Sequence, residues 1–319
     1  MSGSTIARSS VAMAGGSIAS RVLGVLRQSL ITLAIGQGLV GDAFTTSNTL
    51  PNIIYSIIAG GVLNSVFIPQ LVKAAKTPDG GREYTDRLIT LAVTGFLIVT
   101  VIATAGAGWL VRAYTTKLTG SAYDLAVFFA VITLPQIFFY ALYGLLGQVL
   151  NARGKFTAFG WAPAIANVVA IAGLVTFLSR FQGHVTPAEW TPEMVWLFAG
   201  SATASIIAQG LILIIALWRD GFRWRPRWGF RGVGLRSTSK VAGWAFASLA
   251  VSQVGYLVAS KVMWHATGAS DARGGADAPF IAGTAIQANA MLVFMVPHAL
   301  VTLSILTAIY PRIATSVTN

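Results

Sequence analysis

Two arginines stand inside a stretch that is otherwise typical of a membrane-spanning helix. The stretch SRVLGVLRQSL begins at Ser20 and places Arg21 and Arg27 six residues apart. A charge at the centre of a bilayer costs about 2.5–3.5 kcal/mol by insertion scales, so two of them require an explanation. The planar guanidinium group binds phosphate oxygens through paired hydrogen bonds. The chemistry that this pair suggests is the binding of an anion at membrane depth.

Helical periodicity places both arginines on one polar face. With 100° per residue and Gly24 at zero, Arg21 lies at about +60° and Arg27 at about −60°. Gly24 has no side chain, which predicts open space where both guanidinium groups can converge. The other polar residues of this face are Ser17, Ser20 and Gln28. The alternative is that the arginines snorkel or pair with acids in the bundle, and Asp42 could serve one of them at best.

The composition is that of an integral membrane protein. The 319 residues are 55% hydrophobic and only 10% charged, whereas soluble domains are about 25% charged. Cysteine is absent, which excludes a disulfide framework, a thiolate nucleophile and a Cys-ligated metal. The 3 histidines lack metal-ligand spacing and form no recognisable catalytic arrangement with Ser and Asp. We therefore expect no enzymatic activity and no metal or cofactor.

Runs without charged residues predict an all-α, polytopic transmembrane helical bundle with about eight spans. A helix needs about 20 apolar residues to cross the hydrocarbon core. Residues 10–36 form the first span if the two arginines are tolerated, and Pro51 is expected near the N-terminus of the second helix, where proline is tolerated. The other seven spans fall in the uncharged runs 43–72, 88–111, 125–152, 156–179, 194–218, 241–260 and 278–311.

The distribution of Lys and Arg predicts the orientation of the bundle. With a cytoplasmic N-terminus, 15 of the 22 basic residues fall on the inner side, five on the outer side, and the other two are Arg21 and Arg27. Most acidic residues, including Asp42, fall on the outer side. The alternation continues through all eight predicted spans, so the net charge of +12 is explained by membrane topology.

The strongest basic run is RDGFRWRPRWGFRGVGLR, over residues 219–236. Its interleaved arginines and aromatics could stack on single-stranded nucleic acid. Its place between two predicted spans favours contact with anionic lipid headgroups instead, so we expect no nucleic-acid partner. Six predicted helices precede the run and two follow it. The similar endings VFIPQL of span two and AIYPRI of span eight suggest a parallel internal repeat.

Several motifs together resemble the MurJ/MviN family of lipid II flippases. They are SRVLGVLRQSL, DAF at Asp42, LPN at residues 50–52, VFIPQL, LPQIFFYALYGLLGQVLNARGKF, FGWAPAIANV and the SQ pair at residues 252–253. The resemblance covers essentially the whole chain. It implies the fold of the multidrug/oligosaccharidyl-lipid/polysaccharide exporter superfamily. Residues 1–218 would then form a six-helix N-lobe, 219–240 a basic cytoplasmic linker, and 241–319 the first two helices of a C-lobe.

The resemblance also implies a function. The family moves the undecaprenyl-pyrophosphate-linked peptidoglycan precursor across the bacterial inner (plasma) membrane by alternating access, and it is not an enzyme. The cavity arginines of its first helix match Arg21 and Arg27, and its acidic residue after that helix matches Asp42. Gly24, Ser17, Ser20, Gln28 and Asn52 complete the predicted binding site. The implied partners are lipid II, membrane lipids and cell-wall synthesis proteins.

The sequence departs from the family pattern at several positions. Where many members carry an arginine pair and an acid in helix two, or an arginine in helix eight, this chain has Tyr55, Ser56, Gly60 and the apolar region around Leu292. The cavity is therefore expected to be less cationic than usual. Family members also have more helices than the eight predicted here, so the chain is expected to be an N-terminal portion.

The high alanine and glycine content favours an actinobacterial member. Two other functions stay open at this point. One is the export of another lipid-linked oligosaccharide by a member of the same superfamily, and the other is a non-transporting scaffold for cell-wall assembly.

Overall fold

The protein is a bundle of helices. The computed structural model describes residues 3–60, 82–116, 118–181, 186–229, 235–271 and 283–295, and within these ranges there is no strand. The predicted all-α fold class is therefore confirmed. Six segments of the described residues are long and apolar enough to cross a membrane: Met13–Ile35, Arg82–Ala105, Gly120–Ala152, Thr157–Arg180, Pro192–Arg219 and Phe246–Thr267.

The helices are numbered here in chain order. They are α1 Gly3–Ile35, α2 Leu39–Ile58, α3 Arg82–Ala105, α4 Ala107–Tyr114, α5 Gly120–Thr133, α6 Gln136–Ala152, α7 Thr157–Arg180, α8 Pro192–Arg219, α9 Leu235–Asp271 and α10 Thr284–Met295. The second and eighth predicted spans thus coincide in part with α2 and α10. Both motifs of the predicted repeat, VFIPQL and AIYPRI, lie outside the described residues.

Several predicted boundaries differ from the observed ones. The run 88–111 is divided at Gly106. The run 125–152 is divided at Leu134 and Pro135, because proline lacks an N–H and clashes with the preceding turn. α2 begins at Leu39, before the uncharged run, so Asp42 lies in its first turn and Pro51 inside the helix. The expectation that Pro51 stands near the N-terminus of this helix is therefore wrong.

α1 lies along α7, and α7 lies along α8. The first of these contacts is close, because a Cβ added to Gly16 would lie 2.5 Å from the carbonyl oxygen of Gly160. Small residues permit this kind of approach between membrane helices. On another side of α1, Val22 is 65% exposed and Leu33 is 71% exposed. α1 therefore has one face committed to helix packing and another suited to lipid.

Aromatic rings join four of the helices. Phe44 of α2 meets Phe129 of α5 with ring centroids 5.4 Å apart and Phe198 of α8 at 4.7 Å, both edge to face. Phe198 in turn meets Phe177 of α7 at 5.0 Å. All four side chains are buried, and edge-to-face pairs add to the stabilisation from burial. This cluster fixes the positions of α2, α5, α7 and α8.

The described part of the basic linker is attached to α3. The backbone N–H of Arg225 donates to the buried carboxylate of Asp86 at 3.3 Å. The hydroxyl oxygen of Thr90 accepts from the backbone N–H of Arg227 at 3.0 Å and from the indole N–H of Trp224 at 3.2 Å. The linker is thus held on the helix end by hydrogen bonds that do not use its arginine side chains.

Candidate anion-binding site on the first helix

Arg21 and Arg27 have no counter-charge among the residues that the structure describes. Both side chains are half-buried, and the Nε of each is buried without a hydrogen-bond partner. The ion pairs found in this part of the chain all involve other arginines or lysines. An uncompensated cation in a low-dielectric environment is unfavourable. This segment of α1 is therefore electrostatically suited to an anion.

The surroundings of Arg27 include an aromatic wall. Tyr140 of α6 lies in the neighbourhood of Arg27. The ring of Tyr140 stacks on that of Tyr55 of α2, with centroids 5.8 Å and planes 28° apart. Sequence reasoning did not identify Tyr140, because a single tyrosine in an apolar run carries no signal until the helices are assembled. Tyr55 was noted only as a departure from the family pattern.

The face of α1 at Gly24 lies beside α7. A Cβ added to Gly24 would lie 3.8 Å from the amide nitrogen of Asn167 in α7. The same nitrogen donates to the backbone oxygen of Ser20 at 2.9 Å and approaches its hydroxyl oxygen at 3.3 Å. Asn167 therefore borders the space in front of Gly24, which still has room for a Cβ. Ser20 forms a polar contact between α1 and α7, and Gly24 lies one turn further along α1.

Gln28 connects α1 to α10. Its amide N–H donates to the side-chain oxygen of Asn289 at 2.8 Å. The amide of Asn289 donates back to the hydroxyl of Thr32, one turn further along α1, at 3.1 Å. Two reciprocal hydrogen bonds between polar side chains are valuable where no water competes. Gln28, which was predicted to bind the substrate, therefore uses its side chain in a contact between two helices that are far apart in the sequence.

Asp42 is buried, with 1% of its surface exposed, and does not contact the arginines through an ion pair. Its carboxylate accepts from the hydroxyl of Thr267 at 2.6 Å, the backbone N–H of Ala285 at 2.7 Å and the hydroxyl of Thr284 at 3.2 Å. The last two belong to the first turn of α10. Asp42 therefore joins α2 to α9 and to the N-terminus of α10.

The two remaining predicted residues lie apart from this contact. Ser17 is half-buried on α1, one turn before Arg21. Asn52 is exposed on α2, and its side-chain oxygen accepts from the hydroxyl of Ser56 at 2.9 Å. The predicted site is thus distributed over several contacts. Ser20 and Gly24 pack on α7, Gln28 and Asp42 reach α9 and α10, and Arg27 faces the tyrosines.

These features define a class of protein. Among the residues that the structure describes, six segments can span a membrane, Arg21 and Arg27 of α1 form no ion pair, and no group of three or more His, Asp or Glu could bind a metal. This is the organisation of a polytopic membrane protein.

Comparisons with known proteins identify the family. The family described as "Lipid II flippase MurJ" matches residues 31–319. The chain is 30% identical over 187 residues to the Lipid II flippase MurJ of Burkholderia cenocepacia, covering 57% of this chain and 36% of that protein. It is 25% identical over 270 residues to the Probable lipid II flippase MurJ of Vibrio cholerae, covering 80% of this chain and 49% of that protein. The chain belongs to the MurJ lipid II flippase family.

A solved structure shares the fold. It is described as "Lipid II flippase MurJ, inward closed conformation" and matches with a TM-score of 0.70 at 18% identity, over 97% of this chain and 60% of that one. The chain spans about half or less of the length of the two curated relatives. The family match begins at residue 31, so it includes Asp42 and Asn52 but neither Arg21 nor Arg27. A role for Arg21 and Arg27 is therefore supported by their positions in the structure and not by the family match.

Proposed function

We propose that this chain is part of a flippase that moves lipid II from the inner to the outer leaflet of the bacterial cell membrane. The observation that carries the proposal is the pair of buried, unpartnered Nε atoms on Arg21 and Arg27. The undecaprenyl-pyrophosphate group of lipid II is an anion that cannot cross hydrocarbon unaided. Membership of the MurJ family supports the same cargo.

In this proposal the arginines bind the pyrophosphate. A guanidinium group offers two parallel N–H donors to phosphate oxygens, and binding the anion removes the penalty of an isolated charge at membrane depth. Tyr140 and Tyr55 give the site an aromatic surface beside Arg27, which suits a sugar ring of the cargo. The polyprenyl tail stays in the lipid, and no covalent step takes place.

Transport would follow from rocking of two helix groups. The N-terminus and the basic linker are cytoplasmic in this proposal, as the Lys and Arg distribution predicts. The contacts Gln28–Asn289 and Asp42–Ala285 join α1 and α2 to α10. The second of these lies on the predicted outer side. Rocking of α1–α8 against α9 and α10 would separate these contacts and open the site outward.

A binding measurement tests the arginine role. The purified chain is placed in phosphatidylcholine nanodiscs and titrated with lipid II. We expect Arg21→Ala and Arg27→Ala each to weaken binding at least tenfold, and Arg→Lys to recover part of it because an ammonium keeps the charge but loses the planar fork. Arg180→Ala is the matched control, because Arg180 lies in the last turn of α7 and pairs with Glu193 at 3.8 Å.

Each other outcome counts against the proposal. Unchanged binding in both alanine variants would mean that the arginines are structural. Failure of the wild-type chain to bind lipid II would favour a scaffold. Equal or tighter binding of a polyprenyl-pyrophosphate carrying an unrelated oligosaccharide would favour a different exporter of the superfamily.

A further inference from the structure

An apolar groove lies between α3, α6 and α8, where the basic linker crosses them. Its volume is about 340 Å³, and aliphatic and aromatic side chains line it, among them Val93, Leu142, Leu217, Trp218, Phe222 and Trp224. Cavities of about 300–1,000 Å³ are usual for small-ligand sites in proteins. Neither α1 nor α7 contributes to the lining, so the groove is separate from the arginine site.

The linker places aromatic residues in the groove and arginines outside it. Phe222 and Trp224 belong to the lining, and the alternating residues Arg223 and Arg225 are exposed. Arg223 donates from Nη1 to the backbone oxygen of Trp218 at 3.1 Å, and its guanidinium carbon lies 5.9 Å from the centre of that indole ring. A cation is therefore fixed against a residue of the groove wall.

The positive charge at this rim is not neutralised by the neighbouring acids. Asp220 is paired with Arg153 at 2.5 Å and Lys155 at 3.3 Å. Glu83 is paired with Arg87 at 2.6 Å and Arg227 at 3.3 Å. Arg219, Arg223 and Arg225 directly follow residues that line the groove. Among the described residues, neither of these carboxylates forms an ion pair with them.

We propose that this groove binds one acyl chain of an anionic phospholipid, whose phosphate is held by Arg223 with Arg219 and Arg225. The apolar side chains of the groove favour an apolar occupant, and the arginines favour a negatively charged headgroup. Trp218 and Trp224 suit the boundary between headgroup and chain, because indole rings are enriched at membrane interfaces. The bound lipid comes from the leaflet that contacts the linker, and it attaches the linker to that leaflet.

The test uses native mass spectrometry of the purified, delipidated chain titrated with phosphatidylglycerol or phosphatidylcholine. We expect the first phosphatidylglycerol to bind at least fivefold more tightly. The double variant Arg223→Gln, Arg225→Gln should remove this preference. Leu142→Trp should fill the groove and abolish tight binding of either lipid. The matched controls are Arg180→Gln and Leu211→Trp, because Leu211 is 47% exposed on α8 and does not line the groove.

A second measurement keeps the test decisive if Leu142→Trp fails to fold. Phosphatidylglycerol with brominated acyl chains should quench tryptophan fluorescence, and the quenching should fall in Trp218→Phe, Trp224→Phe, which preserves an aromatic lining. Equal affinity for both lipids, or quenching that does not fall in this double variant, would overturn the proposal. So would a lipid preference that disappears only in Arg21→Ala or Arg27→Ala, since that would place the lipid on α1.

Discussion

The carboxylate of Asp42 accepts a hydrogen bond from the backbone N–H of Ala285 at 2.7 Å, across 243 positions of sequence. The first N–H groups of a helix have no partner within the helix. A negative side chain at this end is also favoured by the helix dipole. A cap is usually supplied by the residue that precedes the helix, but here it comes from another helix.

Asp42→Ala should destabilise the protein by about 1–3 kcal/mol, because it leaves the N–H of Ala285 buried without its acceptor and removes the hydrogen bonds from the hydroxyls of Thr267 and Thr284. The apparent unfolding temperature in detergent should fall accordingly. Asp124→Ala is the control, because Asp124 is exposed. Equal unfolding temperatures for wild type and Asp42→Ala would show that the cap contributes nothing to stability.

Gly283→Ala should disturb the same contact from the other side. A Cβ at this position would overlap the carboxylate of Asp42, and the carboxylate cannot move without losing its hydrogen bonds. We expect a lower unfolding temperature and lower membrane levels. Gly255→Ala is the matched control, because a Cβ there meets nothing within 4 Å and alanine is the better helix former. Similar behaviour of the two variants would contradict the predicted overlap.

Two glycines of α1 should respond differently to the same substitution. Gly16→Ala places a Cβ 2.5 Å from the backbone oxygen of Gly160, which only a shift of α1 or α7 can relieve, and such overpacking costs about 1–3 kcal/mol. Gly24→Ala makes an ordinary contact of 3.8 Å with Asn167 and should fold normally. Unfolding temperatures of the two variants, compared side by side, decide the matter. Greater damage from Gly24→Ala would mean that α1 and α7 approach each other more closely at Gly24 than at Gly16.

The ion pairs of Asp220 should make stability depend on pH. The hydrogen bond from Arg153, followed by that from Lys155, holds the pKa of the Asp220 carboxyl below its ordinary value. A group with a lowered pKa in the folded state stabilises the protein above the unfolded-state pKa of about 3.9 and ceases to do so as the pH falls through the folded-state pKa. Asp220→Asn should therefore lower the unfolding temperature slightly at pH 7.

The difference between wild type and Asp220→Asn should shrink as the pH falls below about 4. Thermal unfolding measured from pH 3 to pH 7 checks this, and the effect should be small because salt bridges near the surface contribute little. A difference that grows toward acid would have the wrong sign for a lowered pKa. Arg153→Ala provides the control, since Asp220→Asn should have less effect in its background.

The predicted orientation can be tested by cysteine labelling, because the chain has no cysteine of its own. Ser121→Cys and Pro226→Cys introduce single thiols at exposed positions on opposite predicted sides. A membrane-impermeant maleimide applied to intact spheroplasts should label Ser121→Cys at once and Pro226→Cys only after permeabilisation. The reverse pattern would invert the orientation and, with it, the proposed direction of transport.

The sequence was informative about which segments are helical and less so about where helices break. Uncharged runs located the spans because each must satisfy its backbone hydrogen bonds in lipid. The same runs continued across Gly106 and Pro135, since a break in a helix does not require a charge. α2 began early because Asp42, which seemed to belong in a loop, is satisfied by α9 and α10. The charge of Asp42 therefore did not mark the end of a helix.

Some residues of the candidate site could be identified from the sequence, and others only from the structure. Periodicity placed Arg21 and Arg27 on one face of α1, because it depends on local geometry alone. Asn167, Tyr140 and Asn289 could not be found in this way, because each acquires a role only when another helix is brought beside it. Gln28 was identified as polar and inward-facing, yet its observed partner is Asn289. Local patterns identified the unusual side chains, and the packing of the helices determined their partners.

The attachment of the linker to α3 limits how far α9 can travel. Arg225 and Arg227 are fixed to Asp86 and Thr90 through their backbones, and Gly229 is only six residues from Leu235, where α9 begins. Six residues reach at most about 20 Å even when fully extended. In the proposed rocking motion, the length of the chain therefore limits the separation of Gly229 and Leu235 to about 20 Å. Inserting residues between Gly229 and Leu235 would show whether the range of the motion is limited by the length of the chain or by the contacts between helices.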